Sequence, residues 1–243
     1  MSGIRIAMWS GPRNISTALM RSWESRGDTF VIDEPFYASY LRETDVDHPG
    51  RDEVIAACET DWRKVLEGLT GEIPGGKTIF YQKHMAHHVL RGMEGPWLDN
   101  LRHAFLLRDP LEMLISLDKI MAAPRLEDTG LPQQLRLFRH VGDRSSTTPP
   151  VVDAADILTN PEAMLRRLCA ALGVNFTERM LRWKAGPRET DGVWARFWYD
   201  NVYESTGFRP YTSTAKTLPE HLRPVYEECL PYYDTLSKYR LVP

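Results

Sequence analysis

Short apolar runs alternate along this chain with longer stretches whose apolar residues recur at helical spacing, and the alternation begins almost at residue 1. Residues 4–9 are nearly all apolar and predict a buried strand. Ser10-Gly11-Pro12-Arg13-Asn14 interrupts them, and residues 16–25 continue as a helix. Residues 29–33 (TFVID) give a second buried strand, stopped by Pro35. Val54, Ile55, Cys58, Trp62, Leu66 and Leu69 share a helical face, so residues 52–69 predict one long amphipathic helix ending at Gly71. Residues 78–82 and 103–107 predict strands three and four. Pro110 suits the first position of a helix reaching about residue 121. Two prolines and a glycine within residues 122–133 predict a loop, placed to serve as a lid. Residues 149–153 predict a fifth strand; Asn160 and Pro161 then open a helix that runs to Leu172 and is closed by Gly173.

Short apolar strands alternating with helices predict an α/β fold. Its centre is a mostly parallel five-stranded sheet flanked by helices in three layers, and residues 1–243 form one domain. Ligands of such sheets sit beyond the carboxyl ends of the strands. Gly11 to Thr17, Glu34, Lys83-His84 and Arg108-Asp109 all follow predicted strands, so they are expected to converge on one cleft.

Composition narrows the function classes. The hydrophobic share is 42%, ordinary for a globular chain, and the net charge of −3 argues against a nucleic-acid partner. No run of 18 apolar residues exists, so no membrane span is expected, and the first apolar stretch is too short for a signal peptide. Cys58, Cys169 and Cys229 form no CxxC pair, which predicts reduced thiols, a cytoplasmic location and no structural zinc.

The turn Ser10-Gly11-Pro12-Arg13-Asn14-Ile15-Ser16-Thr17 lies between a strand and a helix, where free N–H groups and the helix dipole favour an anion. Arg13 adds a planar fork of donors, and Ser16 and Thr17 add hydroxyls or cap the helix. No Gly-Lys precedes the Ser-Thr pair, so this is not a Walker A loop and phosphoryl transfer from ATP is disfavoured. Arg108 leaves the fourth strand and Ser116 stands eight residues on, two turns into the next helix; both could reach a second anionic group, or Arg108 could simply pair with Asp109 or Glu112.

These motifs resemble those of the cytosolic and carbohydrate sulfotransferases, a branch of the P-loop fold. Pro12-Arg13-Asn14-Ile15-Ser16-Thr17 is similar to the family's PKSGTT, which holds the cofactor's 5′-phosphate, with Arg13 in the lysine position. Arg108-Asp109-Pro110 through Ser116 matches RxPxxxxxS, which holds the 3′-phosphate. Asp156 to Pro161 followed by Leu165, Leu168 and Leu172-Gly173 resembles the family's strand, "dP" and helix ending in LG. Lys184-Ala185-Gly186 and Gly192-Val193-Trp194 resemble its late RKG…GxW segment. The likeness runs in order from residue 4 to about residue 194 and is nearest to bacterial sulfotransferase-like proteins. It departs at Asn14-Ile15, where the family has glycine, at Lys184, where arginine is usual, and at the extra residues 187–191.

The resemblance implies a transferase that moves a sulfuryl group from 3′-phosphoadenosine-5′-phosphosulfate (PAPS) to a hydroxyl or amine of a small polar acceptor. It leaves adenosine 3′,5′-bisphosphate (PAP) and needs no metal. Gly11, Pro12, Arg13, Asn14, Ile15, Ser16, Thr17, Arg108, Ser116 and Lys184 are the expected nucleotide contacts. Arg13 and Lys83 are the expected cations on the leaving and sulfuryl groups. Two residues compete for the base: Glu34, because Glu-Pro after strand two is where the bacterial carbohydrate branch places it, and His84, whose imidazole titrates nearer neutrality. His87 and His88 have metal-pair spacing with His84 but no third ligand, so a polar helix face is the expectation. Trp9, Phe36, Tyr37, Trp198 and Tyr199 line the acceptor pocket or belong to the core. The rival class is a catalytically silent nucleotide- or protein-binding domain.

Overall fold

Every strand of the computed structural model runs parallel to its neighbours. The structure describes residues 3–212 and 217–243. Its strands are β1 (Ile4–Ser10), β2 (Thr29–Asp33), β3 (Ile79–Met85), β4 (Arg102–Leu107) and β5 (Val151–Asp153). They lie in the order β2-β3-β1-β4-β5. The helices are α1 (Ser16–Glu24), α2 (Tyr37–Glu43), α3 (Arg51–Ala57), α4 (Trp62–Thr70), α5 (Pro110–Leu117), α6 (Leu131–Arg144), α7 (Ala154–Thr159), α8 (Pro161–Ala171), α9 (Ala195–Trp198), α10 (Asp200–Tyr203) and α11 (Arg223–Ser237). Because β1 has β3 on one side and β4 on the other, the chain reverses its direction of winding there, and a crevice opens beyond the carboxyl end of β1.

Both faces of the sheet are covered, which is why the strands read as continuous apolar runs. On one face Ile6, Met8, Tyr81 and Leu106 pack with Leu19, Met20 and Trp23 of α1 and with Leu165 and Leu168 of α8. On the other, Trp9, Phe80 and Phe105 pack with Leu135 and Phe138 of α6 and with Cys229 and Leu236 of α11. A third cluster of Tyr37, Tyr40, Val54, Trp194 and Tyr199 sits beside the sheet.

Three expected elements change. The long helix over residues 52–69 is two, α3 and α4. The Glu59 carboxylate accepts from the N–H groups of Thr60 and Asp61, at 2.9 and 2.8 Å, and Asp61 caps α4 through the Arg63 N–H. Local side-chain acceptors outcompete the helix ladder there. The expected loop over 122–133 is largely structured: a 3-10 turn (Leu126–Thr129) passes through Gly130, at φ +72°, into α6, whose first turn holds Pro132. Finally β3 runs on to Met85, so Lys83 and His84 lie within the strand and not after it. Burial of its polar end is tolerated because each side chain finds partners; Gln82 Nε2, for example, donates to the Leu69 carbonyl at 2.8 Å.

Candidate active site

The turn after β1 is pinned from two sides. A Cβ on Gly11 would overlap the Thr129 carbonyl oxygen, so glycine is required by the 3-10 turn pressed against it. Asn14 Nδ2 donates to the Leu106 carbonyl at 2.9 Å and ties the turn to β4. No side chain caps α1; its Ser16 N–H donates to the Asn14 carbonyl at 2.8 Å, and those of Thr17 and Ala18 are left for a ligand. Ser16 and Thr17 are buried beside Ile15. Residues 12–18 line a cavity of about 480 Å3.

Arg13 takes φ +55°, a left-handed conformation rare for a side chain of its size, and its Nε donates to Ser116 Oγ at 3.0 Å. Arg108 donates to the Arg13 carbonyl and pairs with Glu112 at 3.2 Å, and it also lines the cavity. Burial first, then the charge of Arg108, hold the Arg13 guanidinium below its ordinary value. Among the described residues Arg13 has no carboxylate partner. Two guanidiniums brought together with the carboxylate of Glu112 on Arg108 alone are a site that favours a further anion. Ser116 orients Arg13 and is not itself among the cavity-lining residues.

A buried ionic cluster borders the same cavity. Lys83 Nζ donates to Asp33 Oδ1 at 2.7 Å, Glu34 Oε1 at 2.6 Å and the Tyr199 hydroxyl at 2.8 Å. Tyr199 in turn donates to Asp33 Oδ2 at 2.6 Å. Burial opposes the charge on Lys83, but Asp33, then Glu34, hold it well above its ordinary value. Burial pushes the Glu34 carboxyl up, Lys83 pulls against this, and Asp33 adds to it; the result lies above the usual carboxylate range. Glu34 has φ +42°, and it does not cap α2, whose start carries no side-chain cap. Its Oε1 is taken by Lys83, while Oε2 has no donor among the described residues and the side chain lines the cavity. Arg13 and Glu34, two of the three non-glycine residues with positive φ among the described residues, thus line one cavity, where backbone strain is commonly kept.

His84 is not brought to this cavity. The pleat turns its ring to the other face of the sheet, stacked on Trp9 at 4.3 Å and Phe36 at 5.4 Å, with Nε2 and Gln82 Oε1 at 3.1 Å. Burial, then His103, lower its pKa to about 3. Trp9 and Phe36 are core, whereas Tyr37, Trp198 and Tyr199 line the cavity. His87 and His88 are not on a helix face: they occupy a buried 3-10 turn after β3 and line the cavity. No group of three potential ligands able to hold a metal occurs among the described residues.

Lys184 is exposed and outside the cavity lining. The extra residues 187–191 instead anchor the late segment to α1: Asp191 takes the buried Arg21 guanidinium at 2.6 Å, and Arg188 reaches Glu24 at 3.2 Å. The lining includes Arg209, which sequence reasoning did not single out; its ion-pair partner is the exposed Glu204 at 3.6 Å. Tyr199 was visible as an aromatic residue but not as the hydroxyl that joins Asp33 to Lys83, because nothing local relates positions so far apart.

An all-parallel α/β sheet with an arginine-bearing turn at its switch point defines the class: a three-layer α/β domain with its candidate site beyond the carboxyl edge of the sheet. The chain belongs to the sulfotransferase domain family, whose profile matches residues 4–240. Similar folds include the sulfotransferase domain from the curacin biosynthetic pathway (TM-score 0.55, 14% identity, 100% of this chain and 99% of that one). Another is the sulfotransferase domain of the Synechococcus PCC 7002 olefin synthase (TM-score 0.57, 16% identity, 93% and 94%). In sequence the chain is 38% identical over 234 residues to branched-chain-amino-acid aminotransferase-like protein 1 of Arabidopsis thaliana, covering 96% of this chain and 42% of that protein. It is 36% identical to the second such protein of that plant, with 95% and 41% covered. The chain therefore spans about two-fifths of the curated relatives it matches.

Proposed function

We propose that this domain transfers a sulfuryl group from PAPS to a small polar acceptor bearing a hydroxyl or amine. The observation that carries the reading is that Arg13, Arg108 and Glu34 line one cavity beyond the carboxyl edge of the sheet. Family membership supports the chemistry, and the two guanidiniums with the opening of α1 suit the anionic groups of a bisphosphate nucleotide.

In this reading the acceptor oxygen or nitrogen forms a bond to sulfur while the bond from sulfur to the bridging phosphate oxygen breaks. The electron pair of that bond leaves on the phosphate of PAP, beside Arg13, and the acceptor proton passes to Glu34 Oε2. A carboxyl raised by burial is a better proton acceptor near neutral pH than one in water. Lys83, saturated by three oxygens, is assigned to holding Glu34 in place and not to the sulfuryl oxygens first expected of it.

Calorimetric titration with adenosine 3′,5′-bisphosphate, ATP and AMP tests the nucleotide, and transfer of labelled sulfuryl from PAPS tests the reaction. Tighter binding of the bisphosphate than of ATP or AMP is expected. Equal or weaker binding of the bisphosphate would sink the proposal.

A further inference from the structure

The cavity lining includes a cluster of rings that the transfer chemistry leaves without a task. His88 lies between two tyrosines: its ring is 4.6 Å from Tyr37 at 3° and 4.8 Å from Tyr40 at 26°. His87 meets His88 edge to face at 4.5 Å. All four rings line the cavity and all are buried. Nδ1 of His87 and Nδ1 of His88 have no hydrogen-bond partner, and no protein group among the described residues bonds either ring at Nε2. Tyr37 spends its hydroxyl on His48 Nδ1 at 2.8 Å, but the Tyr40 hydroxyl has no such bond. The Nδ1 atoms are closed off by their neighbours, so it is the Nε2 edges, without a protein partner among the described residues, that are left for a ligand in the cavity.

The cluster adjoins the proposed base. Lys83 and Glu34 both act on Tyr37, and Lys83 acts on His88. Its charge state is also fixed. Burial, then His48, lower His87 to about 3, and burial, then His87, hold His88 well below its ordinary value. Burial raises the Tyr40 phenol to about 12. Of the neighbouring carboxylates, Asp128 accepts from the Arg125 N–H at 2.9 Å and faces its guanidinium at 3.6 Å, and Glu34 is held by Lys83 through Oε1 alone.

We propose that Tyr40, His87 and His88 form the acceptor subsite, and that it takes an uncharged compound presenting a hydroxyl, not a protonated amine. The inference rests on the transferase reading above and narrows it. A neutral imidazole offers one donor and one acceptor, which is what a hydroxyl group needs. An ammonium has three donors and no acceptor, and would leave the imidazole N–H groups without a partner.

The test uses PAPS with two acceptors of matched shape, benzyl alcohol and benzylamine, and the variants His88→Phe and Tyr40→Phe. Tyr40→Phe removes only the hydroxyl, and His88→Phe keeps a ring in the stack, somewhat larger, without its polar atoms. The expected result is transfer to the alcohol and little to the amine. Both variants should raise KM for the alcohol, by up to about tenfold for one lost hydrogen bond, with PAP affinity within about twofold of wild type. Preference for benzylamine, or unchanged KM in both variants, would overturn the subsite. PAP binding without transfer to the alcohol would count against it equally. Absence of PAP binding in the wild type would instead remove the transferase reading itself, so the two failures are distinguishable.

Discussion

Tyr199 donates its phenolic hydrogen to Asp33 Oδ2 at 2.6 Å while its oxygen accepts from Lys83 at 2.8 Å. A residue from the segment after the late loop therefore completes the ionic cluster at the end of β2 and β3. Tyr199→Phe would leave Asp33 one donor short in a buried site. The expected loss is about 1–3 kcal/mol of stability by urea unfolding, with PAP affinity nearly unchanged. No loss would mean that the segment merely rests on the cluster.

Glu34→Gln removes a proton acceptor without removing a helix cap. Because Asp33 still pairs with Lys83, the fold should persist. Turnover should fall by about 10²–10⁴ with PAP affinity near wild type. The acid limb of the wild-type rate profile should lie above the ordinary carboxylate range, in the direction that burial pushes Glu34. A stable Glu34→Gln enzyme of normal rate would exclude the assignment.

Arg108→Ala should weaken PAP binding by about tenfold or more, the effect of losing a charged hydrogen bond to phosphate. Lys184→Ala should leave the affinity unchanged, because Lys184 lies away from the cavity that Arg209 lines. Calorimetry on the two variants compares them directly; the reverse pattern would restore the late-loop lysine to the site.

Transfer should persist in EDTA, since in the proposed mechanism Arg13 takes the charge that develops on the leaving phosphate. Loss of activity that magnesium restores would point to a metal-dependent mechanism in its place.

The buried imidazoles should make the fold acid-sensitive. His84 and His87 are held at about 3 and His103 at about 4, with burial the leading cause in each. Between these values and the ordinary 6.5, the unfolded chain binds protons that the folded chain refuses. Stability is therefore full above pH 6.5 and falls as pH drops toward 4, by on the order of 1 kcal/mol per histidine for each pH unit. Glu34 and Asp153, both raised by burial, act in the opposite direction but are fewer. Urea midpoints at pH 7.5 and 5.5 should differ clearly; equal midpoints would mean that the rings are hydrated.

The sequence made the sheet legible because strands covered on both faces are uniformly apolar, and it made the turn after β1 legible because Gly11, Arg13 and the Ser16-Thr17 pair are contiguous. It did not reveal the break between α3 and α4. The apolar spacing continues through Cys58 and Trp62, and only the carboxylates of Glu59 and Asp61 interrupt the ladder. The site's second half was legible only as separate residues. Glu34 and Lys83 were visible, but the link through Asp33 and Tyr199 depends on long-range contacts that no local pattern encodes. His84 was misplaced because three polar residues, Gln82, Lys83 and His84, imitate the end of a strand.

Adjacent in sequence, Lys83 and His84 serve opposite sides of the sheet, and only the register of β3 keeps them there. Lys83 stands opposite Asp33 on β2 and Met8 on β1, and His84 stands opposite Trp9. A slip by one residue would exchange the two faces. The ammonium would enter the aromatic layer against Trp9 with no carboxylate, and an imidazole would stand before Asp33 and Glu34. Deleting one residue from the first half of β3 would therefore place a histidine in the cavity and a lysine in the core. An uncompensated buried charge is among the most destabilising substitutions a fold can receive. Correct pairing of this strand and assembly of the cavity are thus one event, and a misregistered chain has no route to a stable but inactive domain.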